Sequence, residues 1–455
     1  MKGMLAHEGD RPMKAAEGAG SSLAVSPLRI LLNVWEQRDE WLLAAMVLLP
    51  VSLLGSGLLL VVGSGLAIVA AGWKRDRRFD RALMIVAAVL LGVTAAAGTG
   101  KSWLGLANYL PFMGGFALVS QVLRSRRQIR RFLLALVAGS WGFSIFGWGQ
   151  VMWGWSFRFV TWGSLIHVKL VGIHAPRPTS VFENPNGLAI LLLMVLAIAW
   201  GLWCDRDEGS EGGRDRWVEQ VILAGAMGLG GPLLVLTESR NGWLVALLAL
   251  GSVLVLMRRW RWVALLGVVA MVPVGAAANL LGLRWIVPSF VWQRLLASLD
   301  PNSVAFESMV SRWDGWVFAF QMWRERPLTG WGWQSFADRW AAQVPPPEVP
   351  LFHAHNIYLS LAAEGGLLAL GAFGLVWGWT LWRGWQAWRW ERRAGAGGFL
   401  LLGVNVALGA YFVAGLLDAA FFDGRLNVMV WMVLAVANSY WRWLKGGGDR
   451  AELTK

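Results

Sequence analysis

Apolar residues run through this chain in long blocks and do not alternate with polar ones. The blocks fall at roughly 41–55, 57–73, 82–99, 103–123, 132–152, 186–203, 218–237, 242–257, 262–283, 356–381, 397–417 and 426–443. Most approach the length of a helical bilayer crossing. The first pair is a special case, because residues 41–73 are too long for one upright helix at about 1.5 Å per residue. Gly55-Ser56-Gly57 offers a break there. Two short helices in a hairpin are expected, with one kinked, tilted helix as the alternative. The pattern predicts an all-α polytopic membrane protein with about twelve transmembrane helices.

The polar positions test that count. Basic clusters stand at 73–81 (WKRDRRFDR), 124–131 (RSRRQIRR), 258–261 (RRWR) and 383–393 (RGWQAWRWERR). Even numbers of apolar blocks separate them, so one side of the membrane receives all four, the cytoplasmic side by the positive-inside rule. The mixed-charge loop 204–217 falls on that side as well. Residues 1–40 then read as a cytoplasmic segment, 41–443 as the transmembrane domain and 444–455 as a cytoplasmic tail. Two long loops, 153–185 and 284–355, are left on the opposite side. The second holds VPPPEVP at 344–350 and an expected helix near 308–326.

Composition agrees. Of 455 residues, 56% are hydrophobic and 15% charged, with a mean hydropathy of +0.50; soluble domains carry roughly 25% charged residues. Many of the 32 tryptophans, such as Trp41, Trp73, Trp103, Trp382 and Trp443, sit near block ends, where amphipathic rings settle at the headgroup level. The net charge of +13 resides in the short clusters between blocks. It is a topology signal, and no nucleic-acid partner is expected. The single Cys204 excludes an internal disulfide.

Four polar stretches share the outer side by this topology. They are RPTSVFENPNGLA (177–189), LTESRNGWL (236–244), the segment around Arg312 (307–336) and LFHAHNIYLSLAAEGG (351–366). Each has a structural explanation of its own. Arg240 can snorkel to the interface, Arg312 can face solvent from an amphipathic helix, and His355 can start a helix. Asn184, Pro185 and Asn186 can form a turn and cap. Glu364 lies about 13 Å further along a helix from His355 and on roughly the opposite face, so the two are not expected to touch. Taken together, two arginines suit a phosphate or pyrophosphate, and a histidine can take a proton from a hydroxyl. No Asp, His or Cys cluster has metal-ligand spacing, and no nucleotide-binding loop is present.

FENPNGLA, TESRNGWL, SRWDGWVFAFQMWRERPLTGWGWQSF and HAHNIYLSLAAEGG, in this order, resemble the O-antigen ligase and O-antigen polymerase superfamily of bacterial membrane glycosyltransferases. The resemblance implies a GT-C-like fold with a large periplasmic loop in the bacterial inner membrane. It implies a polyprenyl-pyrophosphate-linked glycan as donor and a hydroxyl on a glycan, lipid or protein as acceptor. Transfer would invert the anomeric centre without metal or other cofactor. The essential residues of the family map onto Arg240 and Arg312, as donor-pyrophosphate ligands, and onto His355, as the base. Asn356, Glu364, His353, Asn184, Asn186 and Arg177 are possible supporting residues. His353 is expected to lie in the loop and point elsewhere. Ligation and polymerisation are not separated by the sequence. A membrane transporter and a non-catalytic membrane scaffold are the competing classes.

Overall fold

The computed structural model describes residues 38–71, 76–161, 166–170, 177–205, 213–343, 351–395 and 397–446. The N-terminal segment to residue 37, the VPPPEVP stretch, most of the mixed-charge loop and the end of the tail lie outside the described residues.

The first apolar region forms two helices, α1 (Arg38–Leu48) and α2 (Leu53–Ala71), packed against each other. The break comes at Leu49–Ser52 and not at Gly55-Ser56-Gly57, which lies inside α2. Pro50 explains this: it lacks an amide N–H and disfavours helix in the residue before it. The Ser52 hydroxyl then accepts the Gly55 N–H at 2.9 Å and starts α2.

After α3 (Arg77–Ala97) the sequence predicts one span over 103–123. The structure instead breaks it into α4 (Gly100–Gly105), a short turn at Leu106–Asn108 and α5 (Leu110–Val122). Two causes meet here. Pro111 stands in the first turn of α5, the position a proline tolerates best. Trp333 packs against Gly105, where any side chain would collide with it. Its indole N–H donates to Thr94 Oγ1 at 2.8 Å, and its backbone N–H donates to Ser102 Oγ at 3.0 Å.

The long α6 (Arg126–Trp153) is followed by a two-stranded antiparallel hairpin, β1 (Arg158–Thr161) and β2 (Ile166–Lys169). The fold is therefore helical but not purely so: the first long loop carries a strand pair that its short, irregular sequence did not announce. Then come α7 (Pro185–Cys204), α8 (Gly213–Leu236), α9 (Arg240–Leu256) and α10 (Trp260–Ala277). The second long loop supplies α11 (Ser289–Leu296), α12 (Val304–Glu325) and α13 (Ser335–Gln343). The chain closes with α14 (Ile357–Arg393), α15 (Phe399–Ala414) and α16 (Gly424–Lys445).

Among the described residues, six helices are long and apolar enough to cross a membrane: α3, α6, α7, α8, α10 and α14. Stretches of α2, α9 and α15 are apolar but shorter. The core lies around α16, which is buried over most of its length, and where α7 meets α15. Gly201 and Gly403 face each other there so closely that a Cβ on either would strike the other backbone, the small-residue contact typical of membrane helices. By contrast, only 6% of the apolar window of α10 is buried. The helix touches its chain neighbours α9 and α11 but leaves most of its surface uncovered, as suits a helix facing lipid.

One end of the bundle is fastened by ion pairs drawn from the basic clusters. Arg126 and Arg130 both reach Asp205, at 2.7 and 3.1 Å, and Arg130 also meets Glu219. Arg383 pairs with Asp76 at 2.7 Å. Such buried charges need their partners. Some of the arginines that read as topology signals therefore also tie helices together.

Candidate active site

The other end of the bundle gathers the polar stretches of the four loops. Ser239 caps α9, accepting the Gly242 N–H at 3.1 Å, and its hydroxyl donates to Asn186 Oδ1 at 2.8 Å. Asn184 caps α7 by accepting the Gly187 N–H at 3.0 Å. Arg177 donates from Nε to the Thr237 carbonyl at 2.9 Å. The turn before α9 is thus held by two earlier segments. It sets Arg240, the first residue of α9, against the second long loop. There Arg240 donates to Ser298 Oγ and, at 3.2 Å, to the Ala305 carbonyl.

Arg312 lies on α12 and donates to the Ser308 carbonyl and hydroxyl at 3.0 and 2.8 Å. Its Nε is buried without a hydrogen-bond partner, and so is that of Arg294 on α11. Arg294 was not foreseen, yet it lies close enough for its charge to act on Arg177, Arg240 and Arg312. Burial, then the Arg294 charge, lowers Arg177 to about 10. Burial likewise lowers Arg312, against the pull of Asp418 and with the push of Arg294. Four guanidinium groups in one partly desolvated region repel one another, and an anion relieves that repulsion.

His355 stands beside this region. It precedes Asn356, which caps α14 by accepting the Tyr358 and Leu359 N–H groups at 2.9 and 3.0 Å. Asn356 Nδ2 also donates to the Leu416 carbonyl at 2.9 Å. This joins the start of α14 to the loop after α15, and that loop carries Asp418. The His355 Nδ1 lies 3.6 Å from Asp418 Oδ1. Burial alone would raise the Asp418 carboxyl. The adjacent His355 outweighs it, with Arg312 and His353 further out, and Asp418 comes down to about 2. Asp418 is therefore an ionised carboxylate 3.6 Å from the imidazole, near enough to favour its protonated form. Sequence reading missed Asp418. The signal was a lone acid at the outer end of the eleventh apolar block.

His353 does not point elsewhere. Its Nδ1 accepts the His355 N–H at 3.2 Å, and the two rings stand 4.3 Å apart. Its other side stacks on Phe422, 5.3 Å between centroids. Burial, then the neighbouring His355, lowers its pKa to about 4. Two residues of separation do not part the rings because His355 takes a left-handed φ of 49° and turns the chain back.

Glu364 braces the site at a distance. It accepts the Phe336 N–H at 3.2 Å. Around it the loop before α13 pairs with the kinked part of α14. Trp331 and Gly332 donate to the carbonyls of Ala363 and Glu364, and Leu367 and Leu368 donate to those of Pro327 and Leu328. Gly366 makes the kink, with φ 66° and ψ −172°. The Leu-Thr-Gly-Trp-Gly-Trp and Glu-Gly-Gly stretches are thus two halves of one joint.

Residues 225–374 of the 455 match the family model described as O-antigen ligase. This stretch is an O-antigen ligase domain. The match contains Arg240, Arg294, Arg312, His353, His355 and Glu364, and the joint between Leu328 and Gly366 lies wholly within it. Arg177, Asn184, Asn186 and Asp418 lie outside, brought to the domain by the fold. No curated protein matches the chain. The O-antigen ligase match and the apolar helices together support a membrane protein of polysaccharide biosynthesis.

Proposed function

We propose that the protein moves a glycan from a polyprenyl-pyrophosphate carrier to an acceptor hydroxyl at the periplasmic face of the inner membrane. The observation that carries this reading is the meeting of Arg240, Arg294 and Arg312 with the His355–Asp418 pair at one end of the bundle. Twelve crossings, with the two long loops outside, remain the topology the charge pattern supports.

In the proposed reaction the arginines hold the donor pyrophosphate, and the polyprenyl stem remains among the lipid-facing helices. His355 takes the proton of the acceptor hydroxyl while its oxygen attacks the anomeric carbon of the donor sugar. The bond to the pyrophosphate oxygen breaks, and the leaving group departs with its electron pair onto the guanidinium groups. Asp418 steadies the imidazolium that forms. A single displacement inverts the anomeric centre. The arginines supply the charge that a divalent cation supplies elsewhere, so chelators leave turnover unchanged in this account.

The test is an in vitro transfer assay with purified protein and a lipid-linked donor. Arg240→Lys and Arg312→Lys keep the charge and lose the planar fork. Each is expected to lose at least roughly tenfold in rate, the worth of one or two hydrogen bonds to a charged group, with folding unchanged by size exclusion. Near-normal transfer by both would remove the pyrophosphate clamp.

A further inference from the structure

The most exposed large apolar side chains among the described residues lie close together in the chain. Leu281, Trp285, Ile286, Leu299 and Val304 are each at least 77% exposed. All fall between the end of α10 and the first residue of α12, in the second long loop. Exposed apolar side chains in such number mark an interaction surface.

The backbone indicates what that surface meets. After α10 the chain turns sharply: Asn279, Leu281 and Gly282 take left-handed φ values of 57°, 50° and 70°. Only the glycine does so without cost. The turn folds the loop back onto the end of the helix. Arg284 donates from Nε to the Ala276 carbonyl and from Nη2 to the Ala277 carbonyl, both at 2.9 Å. It thereby satisfies the last carbonyls of α10. The Leu283 side chain sits against Gly275, where a Cβ would strike it. α11 follows, and its Trp292 ring lies 4.5 Å from the Arg284 guanidinium that stacks over it. The loop is thus tied to the end of α10, a helix whose apolar surface is mostly uncovered. The end of a membrane-crossing helix lies at headgroup depth. Tryptophans and an arginine with its stem on an apolar surface are the residues that settle there.

We propose that residues 280–304 form an interfacial anchor, with α11 lying along the outer leaflet and the exposed apolar side chains set into its acyl boundary. The occupant of this surface is lipid because the surface continues one already facing lipid. Val268, Met271 and Val274 are exposed on α10, and Leu280 and Leu281 carry the exposed run past its end. The anchor also bears on the arginines. It carries Arg294, whose charge acts on Arg240 and Arg312, and Ser298, whose hydroxyl accepts from Arg240. Under the glycosyltransfer reading, the bilayer thereby sets these guanidinium groups at the depth of a lipid-borne pyrophosphate. The anchor itself does not rest on that reading.

The test measures depth directly. Leu281→Cys and Leu299→Cys, each in full-length Cys204→Ser protein, are labelled with nitrobenzoxadiazole and reconstituted in nanodiscs of phosphatidylethanolamine and phosphatidylglycerol. Gln343→Cys, at an exposed position of the same loop beyond the anchor, is the reference. At both anchor positions emission is expected to be lost to lipids carrying a nitroxide near the glycerol end of the acyl chain. Both are expected to be bleached by dithionite in the water more slowly than the reference. Bleaching as fast as at Gln343, with no loss to nitroxide lipid, at either position overturns the anchor. Resistance to both reagents gives the surface to a protein partner or a second copy of the chain, and overturns it as well. Neither readout involves transfer, so a failed glycosyltransfer assay leaves the anchor standing.

Discussion

His355 holds a φ of 49°, a conformation that costs a non-glycine residue roughly 1 to 3 kcal/mol. The cost is borne because the turn it makes serves two ends at once. It sets the imidazole against Asp418, and it directs the backbone N–H at His353. His353 must be neutral to accept that bond, and its pKa of about 4 keeps it so at neutral pH. The sign of the pH effect follows. A histidine whose pKa is lowered on folding binds fewer protons folded than unfolded, so stability is lost as pH falls from about 6.5 toward 4. Asp418, lowered to about 2, adds a further loss only below its usual range near 4. Thermal unfolding in detergent should therefore show a midpoint that drops between pH 6.5 and 4. His353→Gln is expected to flatten that drop, and an equally steep drop in the variant would contradict the neutral role of His353. At this scale the sequence singled out Arg240, Arg312 and His355, whose neighbours form recognisable motifs and which the fold brings to one end of the bundle. It was not legible for Arg294 and Asp418, single charges in apolar surroundings whose meaning depends on which helix ends come together.

The helices show the same divide. Hydropathy located nearly every apolar helix, because burial in lipid or protein demands continuous apolar runs. It failed where backbone is exchanged between elements. The expected span over 103–123 is broken by the Trp333 indole, supplied from more than 200 residues away in the chain. The tenth block continues as one apolar run, yet α14 kinks at Gly366, and the loop at Pro327–Leu328 accepts the amide groups freed there. Helix-breaking residues are tolerated in membrane helices when such partners exist. Glu364, read from the sequence as a supporting site residue, is explained by this joint: its carboxylate and carbonyl both take N–H groups of the 332–336 segment. The first long loop gave no sign of its strand pair, since four-residue strands carry too little alternation to stand out.

For the whole molecule, the charge pattern and the fold agree on a division of labour between the two ends. One end is closed by buried ion pairs among Arg126, Arg130, Asp205 and Glu219. The other holds excess positive charge beside a histidine and an open cavity. The proposed topology puts the second end outside the cytoplasm. Asp300 and Gln343 are exposed positions of the second long loop. In a Cys204→Ser background, Asp300→Cys and Gln343→Cys should both react with a membrane-impermeant thiol reagent in intact spheroplasts. Labelling only after the membrane is broken would reverse the topology. The central claim is that His355 takes the acceptor proton while the arginines hold the leaving pyrophosphate. The most direct measurement is single-turnover transfer by His355→Ala with a lipid-linked donor, beside its binding of inorganic pyrophosphate. A rate lower by roughly 10² to 10⁴, the worth of general-base assistance, with pyrophosphate binding intact, is the expected result. Transfer at the wild-type rate would contradict the account.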